Sequence, residues 1–365
     1  MRMWLCGVVL VLGSAAPRQA SPDPGAARYP DPDWPAAGDL RDHQTSTERV
    51  EAYGAWLREQ AGLHWAGVVI KRGALVFQGR GPRCHVRQKN DCGSILKAVQ
   101  STVLGAALLQ GKLKSLDENA IPNWKDPYVT AYENDRAITF REFAQYRDRW
   151  NSKEPPGTFH YNNAGATAAG ACIAGLFMEV RGPRPKGIAE VARKEVAEKI
   201  GAAWNFWYWE QPFTGETGNP GPRMVVECDV SELAKLGYLW LRKGKWKETR
   251  VFSEEFYREG VTDGSPDTGN TGFGFFGHYG FWWFVNTKQV LLPEAPEDAF
   301  YAIGNGSPRR ATGLLIIPSQ DTVAVLGMER VSDEGKWDVI QNSRVPANDG
   351  PRLWAREVAR LHAAP

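Results

Sequence analysis

Ser94-Ile95-Leu96-Lys97 stands where a helix should begin. Residues three apart on a helix share one face, one turn apart, so the amine of Lys97 can reach the hydroxyl of Ser94. A serine hydroxyl is a poor nucleophile until a nearby base takes its proton. The pattern alone recurs by chance, and its plain alternative is a capping serine followed by a solvent-facing lysine. The surrounding residues argue otherwise. Leu96, Ala98, Val99, Val103, Leu104, Ala106, Ala107, Leu108 and Leu109 make the segment apolar nearly all round, which predicts a buried helix ending at Gly111. A lysine in the first turn of a buried helix is costly without partners, and it sits at the end of the helix dipole that favours anions. Both effects lower its pKa, as a general base requires.

Two further segments carry candidate chemistry: Tyr161-Asn162-Asn163, and Gly304-Asn305-Gly306-Ser307 beside an apolar strand. Taken singly, Tyr161 reads equally as a core tyrosine and Asn163 as a turn residue before Gly165.

Together, SILK, YNN and GNG resemble the motif set of the serine β-lactamase and penicillin-binding-protein superfamily, in its class C-like branch. That branch carries Ser-x-x-Lys, Tyr-x-Asn and a Lys/His-x-Gly strand motif. Pro155 to Gly165 is similar to the Pro-Gly approach into the family's tyrosine. Ala137 to Phe143 looks like its Ile-Thr helix start, and Asp229 to Gly237, followed by Gly244-Lys245-Trp246, like a later helix. The similarity runs from about Thr47 to Leu361. It implies Ser94 as acyl-accepting nucleophile, Lys97 as its base, and Tyr161 as proton shuttle to the leaving group and helper of the attacking water. Asn163 would hold Lys97 and a substrate carbonyl. The backbone N–H groups of Ser94 and Ser307 would form the oxyanion hole, with Gly304, Asn305 and Gly306 lining it. Such donors typically contribute about 3 kcal/mol each.

The third motif departs from the family pattern. It begins with Gly304 where Lys or His is usual, so the cation that meets a substrate carboxylate is missing there; Arg309 and Arg310 follow just downstream. No Ser-Asp-Asn motif is present, and no Gly-x-Ser-x-Gly surrounds Ser94, which disfavours the class A arrangement and the α/β-hydrolase elbow. The expected activity is therefore an ester or amide hydrolase working through an acyl-enzyme. A true β-lactamase or D-alanyl-D-alanine carboxypeptidase is the alternative on the same fold. An inactive binding or regulatory protein is the alternative of another class.

Elements must position these residues. Glu48 to Glu59 has helical periodicity, and Ala66 to Gln78 reads as a hairpin turning at Lys71-Arg72-Gly73. Strand signals return at Tyr279–Lys288, Phe300–Gly304, Thr312–Pro318 and Thr322–Glu329, and an amphipathic helix spans Pro351 to Ala363. The expected fold is α/β (α+β), β-lactamase/transpeptidase-like, an antiparallel sheet flanked by helices with a mostly helical domain inserted. The sheet domain would take 41–114 and 269–365, and the helical insert 115–268. The site belongs in the groove between them.

The chain has 365 residues and a formal net charge of +2, which gives no reason to expect nucleic acid. A small-molecule or peptide-like substrate is the expected partner, with no cofactor and no metal. Arg2, the apolar run Trp4–Leu12 and Gly13-Ser14-Ala15-Ala16 read as a signal peptide, 1–16, followed by a flexible leader, 17–40. The apolar run is too short for a stable membrane anchor, so the expected location is secreted or periplasmic. Past the signal, Cys84, Cys92, Cys172 and Cys228 allow three pairings. A Cys84–Cys92 bridge would brace the approach to Ser94, leaving Cys172 and Cys228 as buried thiols. The 15 tryptophans serve mainly packing, a few lining a pocket.

Overall fold

The computed structural model describes residues 27–125, 137–148, 150, 157–178, 187–209, 223–265, 278–306, 310–329 and 349–362. Residues 1–16, expected to be a signal peptide, and Ser307 and Arg309 lie outside them. In chain order the elements are α1 (Thr47–Gln60), β1 (Trp65–Lys71), β2 (Ala74–Arg80), β3 (Asn90–Asp91), α2 (Leu96–Leu109), α3 (Phe140–Ala144) and α4 (Asn163–Phe177). Then come α5 (Ile188–Ala192), β4 (Asn205–Trp209), β5 (Arg223–Cys228), α6 (Val230–Leu241), β6 (Lys245–Trp246), β7 (Thr249–Arg250) and α7 (Glu254–Gly260). The last are β8 (Phe284–Val285), β9 (Phe300–Gly306), β10 (Arg310–Ile317), β11 (Thr322–Glu329) and α8 (Asp349–Ala359).

Among the described residues, six strands form an antiparallel sheet in the order β2-β1-β11-β10-β9-β8. The β1–β2 hairpin closes on Arg72 and Gly73, both at positive φ, as a tight two-residue turn demands. β1 is buried along its whole length, because helices cover both sides of the sheet. On one side, a Cβ at Gly67 would approach Leu57 of α1, and Trp354 of α8 donates its indole N–H to the Tyr53 hydroxyl of α1 at 2.9 Å. On the other side lies α6. A Cβ at Gly237 would come within 2.6 Å of Val323 and 2.8 Å of Leu314, so the helix sits directly on β10 and β11. α6 is thus part of the sheet domain, not of an insert extending to residue 268.

Three other expectations are corrected. The leader is not flexible throughout: Trp34 is buried with its indole N–H on Ser231 O, and Leu75 exchanges backbone hydrogen bonds with Pro35 and Ala37. The strand expected at Tyr279–Lys288 shrinks to Phe284–Val285, because His278, Trp282 and Lys288 adopt positive φ and fold the run into tight turns. The region expected to be helical also contributes β4 and β5 to a small sheet, β3-β5-β4, whose strands bear on the site. Among the described residues no helix is long and apolar enough to cross a membrane.

Candidate active site

Ser94 sits in the 3-10 turn Gly93–Ile95, and α2 starts directly after it. Gly93 has φ 53°, a conformation that suits glycine, and its N–H donates to Asp91 Oδ1 at 2.8 Å. The body of α2 packs against α4 and α5, while the 3-10 turn that carries Ser94 abuts β9. Lys97 is therefore buried, at 2 % exposure. Its Nζ lies 2.8 Å from Ser94 Oγ, 2.9 Å from the Tyr161 hydroxyl and 2.8 Å from Asn163 Oδ1. Residues 64 and 66 positions away in sequence thus meet at one nitrogen.

Tyr161 and Asn163 are delivered by the start of α4. Asn162 caps that helix through Oδ1, which accepts from Gly165 N at 3.1 Å. Its Nδ2 donates to Trp150 O at 2.6 Å and to Asp148 Oδ1 at 3.3 Å. Asp148 Oδ1 also accepts from the Trp150 N–H. Tyr146 and Tyr279 form the wall behind Tyr161, with ring centroids 4.7 Å apart for Tyr146–Tyr161 and 5.2 Å for Tyr146–Tyr279.

Electrostatics follow from this burial. Desolvation holds the Lys97 amine below its ordinary pKa, against the opposing pull of Tyr161, and Arg223 on β5 adds a further like charge. Burial pushes the Tyr161 phenol up, but the charge and hydrogen bond of Lys97 outweigh it and bring the group below its ordinary value. Burial pushes the Asp148 carboxyl up to about 8.

β9 forms the opposite wall. Asn286 N donates to Ala299 O at 3.0 Å, which places the backbone groups of Ala299 on the β8 side of the strand. Residues two apart along a strand point the same way. The Ile303 and Asn305 amides therefore face the β8 side, where β8 has already ended, while Gly304 and Gly306 face β10. A Cβ at Gly304 would stand 1.9 Å from Cys92 O and 2.8 Å from Ser94 N, and a Cβ at Gly93 2.4 Å from Asn305 C. The strand and the serine turn touch backbone to backbone.

The structure thus brings Ser94, Lys97, Tyr161, Asn163, Gly304 and Asn305 together, with Gly306 continuing β9. Position 304 has no room for any side chain, so it is not a vacant place for a cation. Ala302, the next residue on the same face, is the one that carries no charge. Arg310 pairs with Gly306 across the ladder. Arg223, Asp148, Tyr146 and Tyr279 were not singled out from the sequence. Arg223 lies on a strand of the small sheet, and nothing in its local pattern marks it.

No family model matches this sequence, and no curated protein is similar to it. Solved structures are similar. A β-lactamase/D-alanine carboxypeptidase from Yersinia pestis, complexed with citrate, superposes with a TM-score of 0.60 at 13% identity, over 86% of this chain and 98% of that one. A penicillin-binding-protein homologue from Caulobacter crescentus gives 0.58 at 12% identity, over 87% and 96%. A class C β-lactamase from Rhodobacter sphaeroides gives 0.55 at 14% identity, over 86% and 98%. The chain has the fold of the serine β-lactamase and penicillin-binding-protein superfamily.

Proposed function

We propose that this chain is an exported serine hydrolase that cleaves an ester or amide through an acyl-enzyme on Ser94. The observation that carries the reading is the meeting of Ser94 Oγ, Tyr161 Oη and Asn163 Oδ1 around the buried Lys97 Nζ, all within 2.9 Å.

The steps follow from those contacts. With Lys97 neutral, its lone pair accepts the Ser94 proton as Oγ attacks the substrate carbonyl carbon. The carbonyl oxygen becomes an oxyanion between the N–H groups of Ser94 and Asn305. We assign this role to Asn305 because its amide faces the open side of β9 and its backbone packs on the serine turn, where a Cβ at Gly93 would stand 2.4 Å from Asn305 C; Ser307 lies outside the described residues. The C–O or C–N bond then breaks. Tyr161 gives its proton to the departing alcohol or amine and recovers one from Lys97. Water then attacks the acyl carbon as its proton passes through the Tyr161 hydroxyl to neutral Lys97, and Lys97 returns that proton to Ser94 Oγ as the ester bond breaks, which releases the acid and restores Ser94.

The residues of β9 that face the serine turn, Ala302, Gly304 and Gly306, offer no charge. A substrate carboxylate gains about 1.5–3 kcal/mol from a charge-assisted hydrogen bond, and this strand cannot supply one. That favours an uncharged ester or amide over a β-lactam or a D-Ala peptide. The second reading, a β-lactamase or D-alanyl-D-alanine carboxypeptidase, draws on the positive charge of Arg223 and on the named activities of the Yersinia pestis and Rhodobacter sphaeroides proteins.

Two measurements separate these readings. A fluorophosphonate should label Ser94 stoichiometrically in the intact protein and leave Ser94→Ala unlabelled; an unlabelled native protein would point to a binding protein on this fold. Among substrates, kcat/KM for a short-chain p-nitrophenyl ester should exceed that for nitrocefin. The reverse order, abolished by Arg223→Ala, would establish the second reading.

A further inference from the structure

Cys92 lies two residues before Ser94, and Cys228 ends β5. β3 and β5 pair with Asn90 opposite Cys228 and Asp91 opposite Glu227, and the Cys92 N–H continues the ladder to Val226 O at 2.9 Å. Cys92 and Cys228 are therefore diagonal neighbours on one face. Cys92 has left the strand for a helical backbone conformation, which tips its side chain inward. The two sulfurs lie 3.5 Å apart, in van der Waals contact, with Cys92 at 1 % and Cys228 at 2 % exposure. Closing them to a bond takes about 1.5 Å, within reach of side-chain rotation. Cys84, the partner expected from sequence proximity, points elsewhere: its sulfur donates to Gln88 Oε1 at 3.1 Å. Cys172 is buried within α4.

We propose that Cys92 and Cys228 form a disulfide in the oxidised protein, and that this bond ties the turn carrying Ser94 to the start of α6. The chemistry is a two-electron oxidation by a small disulfide of the glutathione class. One cysteine thiolate attacks the oxidant and expels one thiol. The second attacks the resulting mixed disulfide and expels the other, so two protein thiols become one S–S bond and the oxidant becomes two thiols. Burial holds the Cys228 thiol protonated in the folded protein and excludes the oxidant. The exchange therefore takes place as the chain folds, before the pair is sealed.

The consequence reaches the site. Cys92 O accepts from the Ile95 N–H and is the atom against which Gly304 packs. A covalent bond at Cys92 fixes the serine turn against β9 and closes a loop between residues 136 apart. Constraining so long a loop stabilises chiefly by restricting the unfolded chain.

The test uses the full chain, denatured and reduced, then refolded in a glutathione/glutathione disulfide buffer. Free thiols are blocked with iodoacetamide under denaturing, non-reducing conditions, and peptides are mapped by mass. The expected result is a linked Cys92–Cys228 peptide pair, two hydrogens lighter than the sum, retained in Cys84→Ser and absent in Cys228→Ser. Soluble folded protein with both cysteines alkylated, or a Cys84–Cys92 link, would overturn the proposal. If Cys228→Ser does not fold, the oxidised native protein with and without reductant serves instead. Reduction should lower Tm by about 5 °C, and an unchanged Tm would count against the bond. Mass and Tm report independently of turnover, so this proposal and the hydrolase reading stand or fall separately.

Discussion

At the scale of single residues, Lys97 works through a match of numbers. Its ammonium form has three N–H donors, and Ser94, Tyr161 and Asn163 present three acceptors. No carboxylate is among these partners, and the desolvation that drives the pKa down outweighs the opposing charge interaction and hydrogen bond of Tyr161. A base is useful only when deprotonated. kcat/KM should therefore fall about tenfold per pH unit below the lowered pKa of Lys97 and level off above it. Lys97→Ala should lower the plateau by about 10³-fold and erase this acid limb. A pH–rate profile of both proteins on one ester checks it; an acid limb that survives in Lys97→Ala would assign the titration to another group.

At the scale of elements, the YNN turn depends on a buried acid. Asp148, raised by burial to about 8, keeps its proton in the folded chain, while in the unfolded chain it ionises near the ordinary aspartate value of 3.8. The folded state thus binds the extra proton between these two values, and stability must fall as pH rises through that window. The slope is about 1.4 kcal/mol per pH unit, ending above pH 8. Asp148→Asn keeps the acceptor for Trp150 and Asn162 without the ionisation, so it should gain stability relative to the native protein on going from pH 5 to 7.5. Urea denaturation at both values tests this; parallel changes in the two proteins would refute it. This element also shows how far the sequence could be read. Ser94, Lys97, Tyr161 and Asn163 were legible because each lies in a short motif, and α2 because its apolar residues surround it. Asp148 was not, since a carboxylate looks solvated until Trp150 and Asn162 close over it. The Gly304 backbone contact was invisible for a related reason: a glycine's sequence neighbours do not tell which carbonyl it must clear. The hairpin and β11 were legible from their periodicity, whereas the attachment of α6 to the sheet depends on a non-local contact at Gly237.

At the scale of the whole molecule, the sheet separates chemistry from support. Residues 302, 304 and 306 of β9 share a face with Thr312, Leu314 and Ile316 of β10, the face that α6 and the serine turn cover. α1 and α8 cover the other. There Trp354, Val358 and Leu361 are all but fully buried, and Lys71, at 1 % exposure, donates to Gln320 O and to Thr322 Oγ1, both at 3.1 Å. The C-terminal helix thus stabilises the sheet without touching the groups around Lys97. Trp354→Ala should open a cavity, strip Tyr53 of its hydrogen-bond donor and cost about 4 kcal/mol. In a chain of this size that is a drop of several degrees in Tm. Because the damage lies across the sheet from Ser94, the protein that remains folded should keep its kcat/KM within about twofold, additivity holding for distant sites. Thermal melts beside active-site titration with a fluorophosphonate make the comparison. A Trp354→Ala protein that melts normally but turns over slowly would mean that the sheet transmits strain to β9 and the serine turn, and that support and chemistry are not divided between its two faces.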